Sequence, residues 1–390
     1  MPRDRLLSRP FVFVFLAHLL HNVAFNLFLH LPGLLRRLGA DETRIGWVFA
    51  TTALTAIAAR PPMGSAMDRR GRRRVILAGG VLHVLACGLY LTVSDVGPWV
   101  YVVRMVHGVA EASLFAALFA LAADIVPASR RIEGIALFGV SGMLPVSIGG
   151  VVGDYVLEHG GFPRLFVIAT ACAVGGLLLS LPLRDVPRAP SSRPRATFVS
   201  AVFRRTLAPL WFAGGAFATA LVAHFVFMKT FVLRHHIGSM SGFFSAYAFT
   251  AIALRVFLGR VPEQLGPKNV LVPAFGFVVA GQLFLSFAST STHVALAGVL
   301  CGLGHGFAFP ILCGLVVERA DEADRGSALA FFTALFDLGA LIGAPVFGAI
   351  VRATNYPTMF RCAAGLLAVA TVVFVVIDRP QAVPTLSNPA

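Results

Sequence analysis

The 390-residue chain reads as an all-α membrane protein with twelve transmembrane helices in two six-helix bundles related by pseudo-two-fold symmetry. Three observations predict this. Only 13% of its residues are charged and 57% are hydrophobic, whereas about a quarter of a soluble domain is charged. Apolar runs of about 20 residues, enough to cross roughly 30 Å of hydrocarbon, recur along its whole length. The second half also repeats the first at a nearly constant offset.

The runs follow in order. The first, 10–31, comes after Arg3, Arg5 and Arg9 and continues past Phe28 without a small-residue cleavage site, so a retained helix is expected rather than a signal peptide. The second, 45–67, ends in the charge-dense stretch GSAMDRRGRRR at 64–74. The runs 75–94 and 97–123 follow, and then 132–157 and 163–183, which are parted by Glu-His-Gly-Gly-Phe. Residues 184–206 are rich in Pro, Ser and Arg and read as a linker between an N-terminal bundle, 1–183, and a C-terminal bundle, 207–390. The second bundle carries runs at 207–233, 241–260, 269–289, 292–318, 326–352 and 357–377.

Charge placement gives the topology. Of the 32 Lys and Arg, 21 fall on one side of these spans and 7 on the other, with Arg60, Arg104, Lys229 and Arg255 inside. The rich side is expected to be cytoplasmic with both termini, in the inner (cytoplasmic) membrane of a cell. The net charge of +14 is therefore a topology signal, and no nucleic-acid partner is expected. The five Cys (Cys87, Cys172, Cys301, Cys313, Cys362) lie singly within apolar runs without ligand spacing. They read as packing residues, with no disulfide, metal or cofactor expected. No nucleophile motif or nucleotide-binding loop points to an enzyme.

The repeat is specific. At an offset of 195, Arg60 aligns with Arg255, Gly64 with Gly259, Asp68 with Glu263, Gly71 with Gly266 and Arg73 with Lys268. At 194, Gly108 aligns with Gly302, Asp124 with Glu318 and Arg131 with Arg325. Parallel six-helix repeats are an architecture of secondary transporters, which bind substrate near the midplane between the repeats.

The loop at 64–74 resembles the signature of the major facilitator superfamily, G-x-x-x-D-[RK]-x-G-[RK]-[RK], with Gly64, Asp68, Arg69, Gly71, Arg72 and Arg73 at its fixed positions. The resemblance implies a cytoplasmic gate at these residues, acting as a latch that favours the outward-open state. It also implies that helices 1, 4, 7 and 10 line a central cavity, and that helices 5 and 8 with 2 and 11 form the rocking contacts. RPPMG at 60–64 and FDLGALIG at 336–343 are similar to a bacterial drug and metabolite efflux branch. GMLPVSIGG at 142–150 departs from the G-P-x-x-G-G run of drug–proton antiporters, because Gly142 and Pro145 are not adjacent.

Ionisable groups within membrane helices mark functional candidates. Arg104, His107 and Glu111 share one face of the fourth helix at i, i+3 and i+7. The first helix offers His18, His21, Asn22 and Asn26, the seventh His224 and Lys229, and the tenth His305 at the repeat position of Glu111. These are the expected substrate-cavity residues, although Lys229 equally suits a side chain that snorkels to the surface. Asp337 stands alone in the apolar eleventh helix, and its repeat mate is Met143. Asp337 and Glu111 are the expected proton-coupling residues, with a pairing of Asp337 to Arg60 or Lys229 as the alternative. The expected activity is proton-coupled export of a small amphipathic or anionic organic molecule by a monomer in contact with membrane lipid. An uptake permease and a lipid-handling protein remain open readings.

Overall fold

The computed structural model describes residues 7–127, 130–186, 204–320 and 325–378, with the backbone alone at positions 68, 131–133, 136, 325 and 326. In hydrocarbon every backbone N–H and C=O must be satisfied within its own segment, and the described residues form helices throughout. The first bundle holds α1 (Arg9–Arg37), α2 (Glu42–Arg70), α3 (Arg72–Leu89), α4 (Pro98–Ile125), α5 (131–160) and α6 (162–180). The second holds α7 (Ala208–His235), α8 (Met240–Phe257), α9 (Pro267–Ser286), α10 (Ser291–Arg319), α11 (Arg325–Ala353) and α12 (Tyr356–Ile377).

Ten stretches meet the length and hydropathy of a membrane span. One of them contains both α5 and α6. The division falls at Gly161, where φ 69° and ψ −171° turn the chain back, a conformation essentially restricted to glycine. The charge-bearing α2, with Pro61 and Pro62 inside it, is the twelfth and the least apolar. α1 is not uniform either. A tighter turn at Phe28–His30 interrupts it and sets the angle of its last segment, Leu31–Arg37.

Within the first half, α1 packs on α5 and α6, and α4 packs on both α2 and α3; within the second, α10 lies against α8 and α9, and α12 against α9 and α7. The halves meet along two pairs, α2 with α11 and α5 with α8, the rocking contacts that the resemblance implies.

The apolar core reveals how the halves are disposed. At the end of the molecule remote from the arginine-rich loops, one continuous cluster joins both halves, with Leu27, Leu31 and Tyr90 alongside Phe227, Phe244 and Phe360. Towards the arginine-rich end this core divides into two, one around Phe11, Leu118 and Phe138 and the other around Leu210, Phe275 and Phe332. Among the described residues the halves are therefore closed together at the far end and splayed at the basic end.

Candidate transport site at the seam between the halves

The far-end closure is built on an acid that sequence reasoning passed over. Asp154, on α5, accepts a hydrogen bond from Lys229 Nζ of α7 at 2.7 Å and another from the Ser241 backbone N–H of α8 at 3.0 Å. His30 Nδ1 stands 3.6 Å from the same carboxylate. Lys229, expected in the substrate cavity or snorkelling, pairs with Asp154 across the far end. A second lock lies at the mouths of α2 and α12, where Tyr356 donates to Glu42 at 2.8 Å and Arg36 reaches both. Gly46 and Gly348 lie where a Cβ would strike the backbone of Ala344 and Glu42, so α2 and α11 approach backbone to backbone. An acid near the outer end of a predicted span was the signal that could have singled out Asp154.

Midway along the seam, Arg60 of α2 meets Asp337 of α11. The guanidinium donates to one carboxylate oxygen from Nε at 2.7 Å and approaches it from Nη2 at 2.5 Å, and Nη1 reaches Thr333 Oγ1 at 3.4 Å. Glu111 of α4 lies within electrostatic range of Asp337, Arg104 and Arg60.

The repeat makes the opposite seam instructive. Arg255 of α8 occupies the position of Arg60, but the residue equivalent to Asp337 is Met143. Arg255 accordingly faces α5 near Gly139, with Nη1 3.6 Å from where a Cβ would stand. Among the described residues it forms no ion pair, and its buried Nε has no hydrogen-bond partner.

The histidine-rich positions lie elsewhere. His18 is hydrogen-bonded to Ser141 at 2.7 Å, and His21 to His83 at 3.0 Å. Asn22 and Asn26 donate back to the carbonyls of His18 and Asn22. Arg104 reaches Val48 O and Tyr90 Oη and lies over the Phe49 ring, while His107 pairs with Tyr90 at 3.2 Å. In the second half His224 bonds Gln282 at 3.0 Å, and His305 bonds Tyr247. His18, His21, Arg104, His107 and His224, expected to line the substrate cavity, are each at most 3% exposed in this conformation, and their polar partners lie in their own half. Spacing put Arg104, His107 and Glu111 on one helical face, and hydrogen bonds to Val48 and Tyr90 hold the first two within the first half.

The signature loop is also braced within its own half. Gly71 adopts φ 86°, and the Asp185 carboxylate beyond α6 accepts from the backbone N–H of Arg72 and Arg73 at 2.7 and 3.0 Å, capping α3. Arg72 pairs with Asp124 at 3.2 Å, and Arg73 donates to the carbonyls of Leu183 and Leu181. Arg69 is exposed, and a Cβ added at Gly64 would meet no atom within 4 Å, so no close helix approach occurs there with the basic end splayed. The Asp68 side chain lies outside the described residues. The second half repeats this brace: Asp378, after α12, pairs with Lys268 at the start of α9 and Arg319 at the end of α10, each at 2.5 Å.

Comparison with known proteins fits this arrangement. The Major Facilitator Superfamily profile matches residues 11–294 and 239–390. The chain belongs to the Major Facilitator Superfamily. It is 25% identical over 366 residues to an uncharacterised transporter of that superfamily from Burkholderia pseudomallei (strain K96243), covering 90% of this chain and 88% of the relative. It is also 25% identical over 230 residues to the uncharacterised transporter YhhS of Escherichia coli O157:H7, covering 58% and 55%. Among solved structures, a POT family transporter, PepTSo, superposes with a TM-score of 0.78 at 10% identity over 95% of this chain and 97% of that one. The human organic anion transporter MFSD10 gives 0.69 at 19% identity over 96% and 100%. As a member of the superfamily, this protein is a multi-pass membrane transporter of small molecules rather than an enzyme.

Proposed function

We propose that the protein is a proton-coupled exporter of a small organic anion that works by alternating access, with its basic end in the cytoplasm and both termini on that side of the inner membrane. One observation carries this reading: of two repeat-related arginines on the seam, Arg60 holds a carboxylate and Arg255, among the described residues, holds none. An arginine at intramembrane depth needs an anionic partner, because desolvating an unpaired charge is costly. A substrate carboxylate or phosphate entering from the splayed end would supply what Met143 does not.

Asp337 provides the coupling. Protonating it neutralises the counter-charge of Arg60 and loosens the contact between α2 and α11, while Glu111 can take part in the same exchange of charge. Binding that differs between the two dispositions of the halves is what shifts their populations. The uncharacterised relatives bear on the superfamily alone, and the description of MFSD10 as an organic anion transporter accords with the anion reading.

The test is a thermal-shift screen of the full-length protein against carboxylates, phosphorylated metabolites, neutral solutes and organic cations, followed by counterflow in proteoliposomes. Anions should stabilise the wild type, since a ligand that binds only the folded state raises its stability. They should not stabilise Met143→Asp, whose new carboxylate can satisfy Arg255. Stabilisation confined to neutral or cationic solutes would overturn the assignment.

A further inference from the structure

The cluster that the seam does not use lies inside the first half. His83 and Cys87 are one turn apart on α3, so both side chains leave the same face, and His107 of α4 comes up against them. One donor atom from each lies within 4.8 Å of the other two. His21 of α1 closes the group, its Nδ1 3.0 Å from His83 Nδ1. Exposure is 3% for His21, 2% for His83 and 0% for Cys87 and His107.

The nitrogens are arranged as ligands are. His107 Nδ1 is held by Tyr90 Oη, which in turn accepts from Arg104 Nη1 at 3.2 Å. His83 Nδ1 is held by His21. The Nε2 atoms of His21, His83 and His107 are all buried without a hydrogen-bond partner. Buried polar atoms are nearly always satisfied, and an unsatisfied group calls for an explanation such as a bound ion. Partners that fix one ring nitrogen and leave the other free are the usual support of a metal-ligating histidine.

We propose that His83, Cys87 and His107 bind copper(I), with His21 holding the His83 ring in place. The donor set, imidazole and thiol without oxygen, selects a soft ion over magnesium or calcium. Charge selects within the soft ions. Copper(I) displaces the thiol proton, which leaves to solvent, and the resulting complex of a monovalent cation, one thiolate and neutral imidazoles carries no net charge. Zinc(II) would leave a positive charge buried in the membrane interior beside the Arg104 guanidinium, where desolvation penalises it. All the donors belong to one half, and none to the seam. The ion is thus a resident that ties α3 to α4, not cargo carried between the halves.

The test loads full-length protein in detergent, under anaerobic conditions, with copper(I) acetonitrile or with zinc chloride in the presence of a competing chelator. Metal content after desalting and X-ray absorption are then measured. One copper per chain with one sulfur in its coordination shell is expected in the wild type, with affinity at least about tenfold lower in Cys87→Ser and His83→Gln. Cys301→Ser, equally buried in the other half, should bind as the wild type does, and elution as a monodisperse peak qualifies each variant for comparison. Absence of copper from the wild type, retention unchanged in Cys87→Ser, copper without a sulfur ligand, or zinc held in preference would each overturn the proposal.

Discussion

Asp337 and Arg60, 277 residues apart in sequence, form an ion pair across the seam between the two halves, with Nη2 to carboxylate oxygen at 2.5 Å. Each side chain is only about one-fifth exposed, at 21% for Arg60 and 19% for Asp337. The pair connects α2 to α11 below the closed far end, and in the proposed cycle its charge state acts on the contact that changes when the molecule reopens on the other side.

Reversing both charges tests whether the two residues act together. Arg60→Asp or Asp337→Arg alone leaves like charges facing each other and should destabilise the protein by about 3 kcal/mol. The double variant should recover about 1–3 kcal/mol of interaction. Thermal unfolding in detergent gives the cycle; additive losses would mean that the pair contributes nothing as a pair.

At the far end, Lys229→Met removes the cation that bridges α7 to Asp154 of α5. The far end should then open more often. Spin labels at the exposed positions Glu158 and His236 should report a longer-distance population that is minor in the wild type. An unchanged distance distribution would assign Lys229 to packing.

The signature loop separates conformational strain from space. Gly71→Ala places a side chain at φ 86° and against the Asp185 carboxylate, and should cost about 1–2 kcal/mol of stability. Gly64→Ala meets nothing within 4 Å in the splayed conformation. It should leave the melting temperature unchanged while slowing transport, if the opposite conformation brings a helix against position 64. Equal melting losses in both variants would contradict this division.

Asp378 supplies a pH dependence outside the membrane spans. Burial pushes its carboxyl pKa up, but hydrogen bonds from Arg319 and Lys268 outweigh burial and hold it below the ordinary carboxylate value. A depressed folded-state pKa gives stability that is fully present above the unfolded value of about 3.9 and is lost as pH falls through the folded one. Melting curves from pH 7 to pH 3 should show this loss in the wild type and a shallower one in Asp378→Asn. Parallel curves would remove Asp378 from the acid response.

The helices, the repeat and the signature loop were legible because they depend on local composition and period. Gly161 was not singled out as the break between α5 and α6, since a Gly-Gly pair between apolar runs does not say which residue turns. Partners were harder still. Periodicity placed Arg104, His107 and Glu111 on one face of α4, but which neighbours cover that face is settled by tertiary packing, and Val48 and Tyr90 hold the first two. The repeat aligned Arg60 with Arg255 and Asp337 with Met143, but that Arg255 stands without a carboxylate among the described residues became visible only once α5 and α8 were packed together. Asp154 and His30 lay at span ends, where an ionisable residue reads as a surface group until the facing half is in view.

Proton-driven transport by Asp337→Asn is the most direct measurement, made in proteoliposomes with an anion identified by the binding screen and set beside counterflow exchange of the same anion. Without a titratable group at 337, uptake driven by an imposed pH gradient should fall to the level of empty liposomes while exchange persists, because the variant leaves the anion site proposed at Arg255 untouched. Gradient-driven transport at the wild-type rate in the folded variant would contradict proton coupling through Asp337.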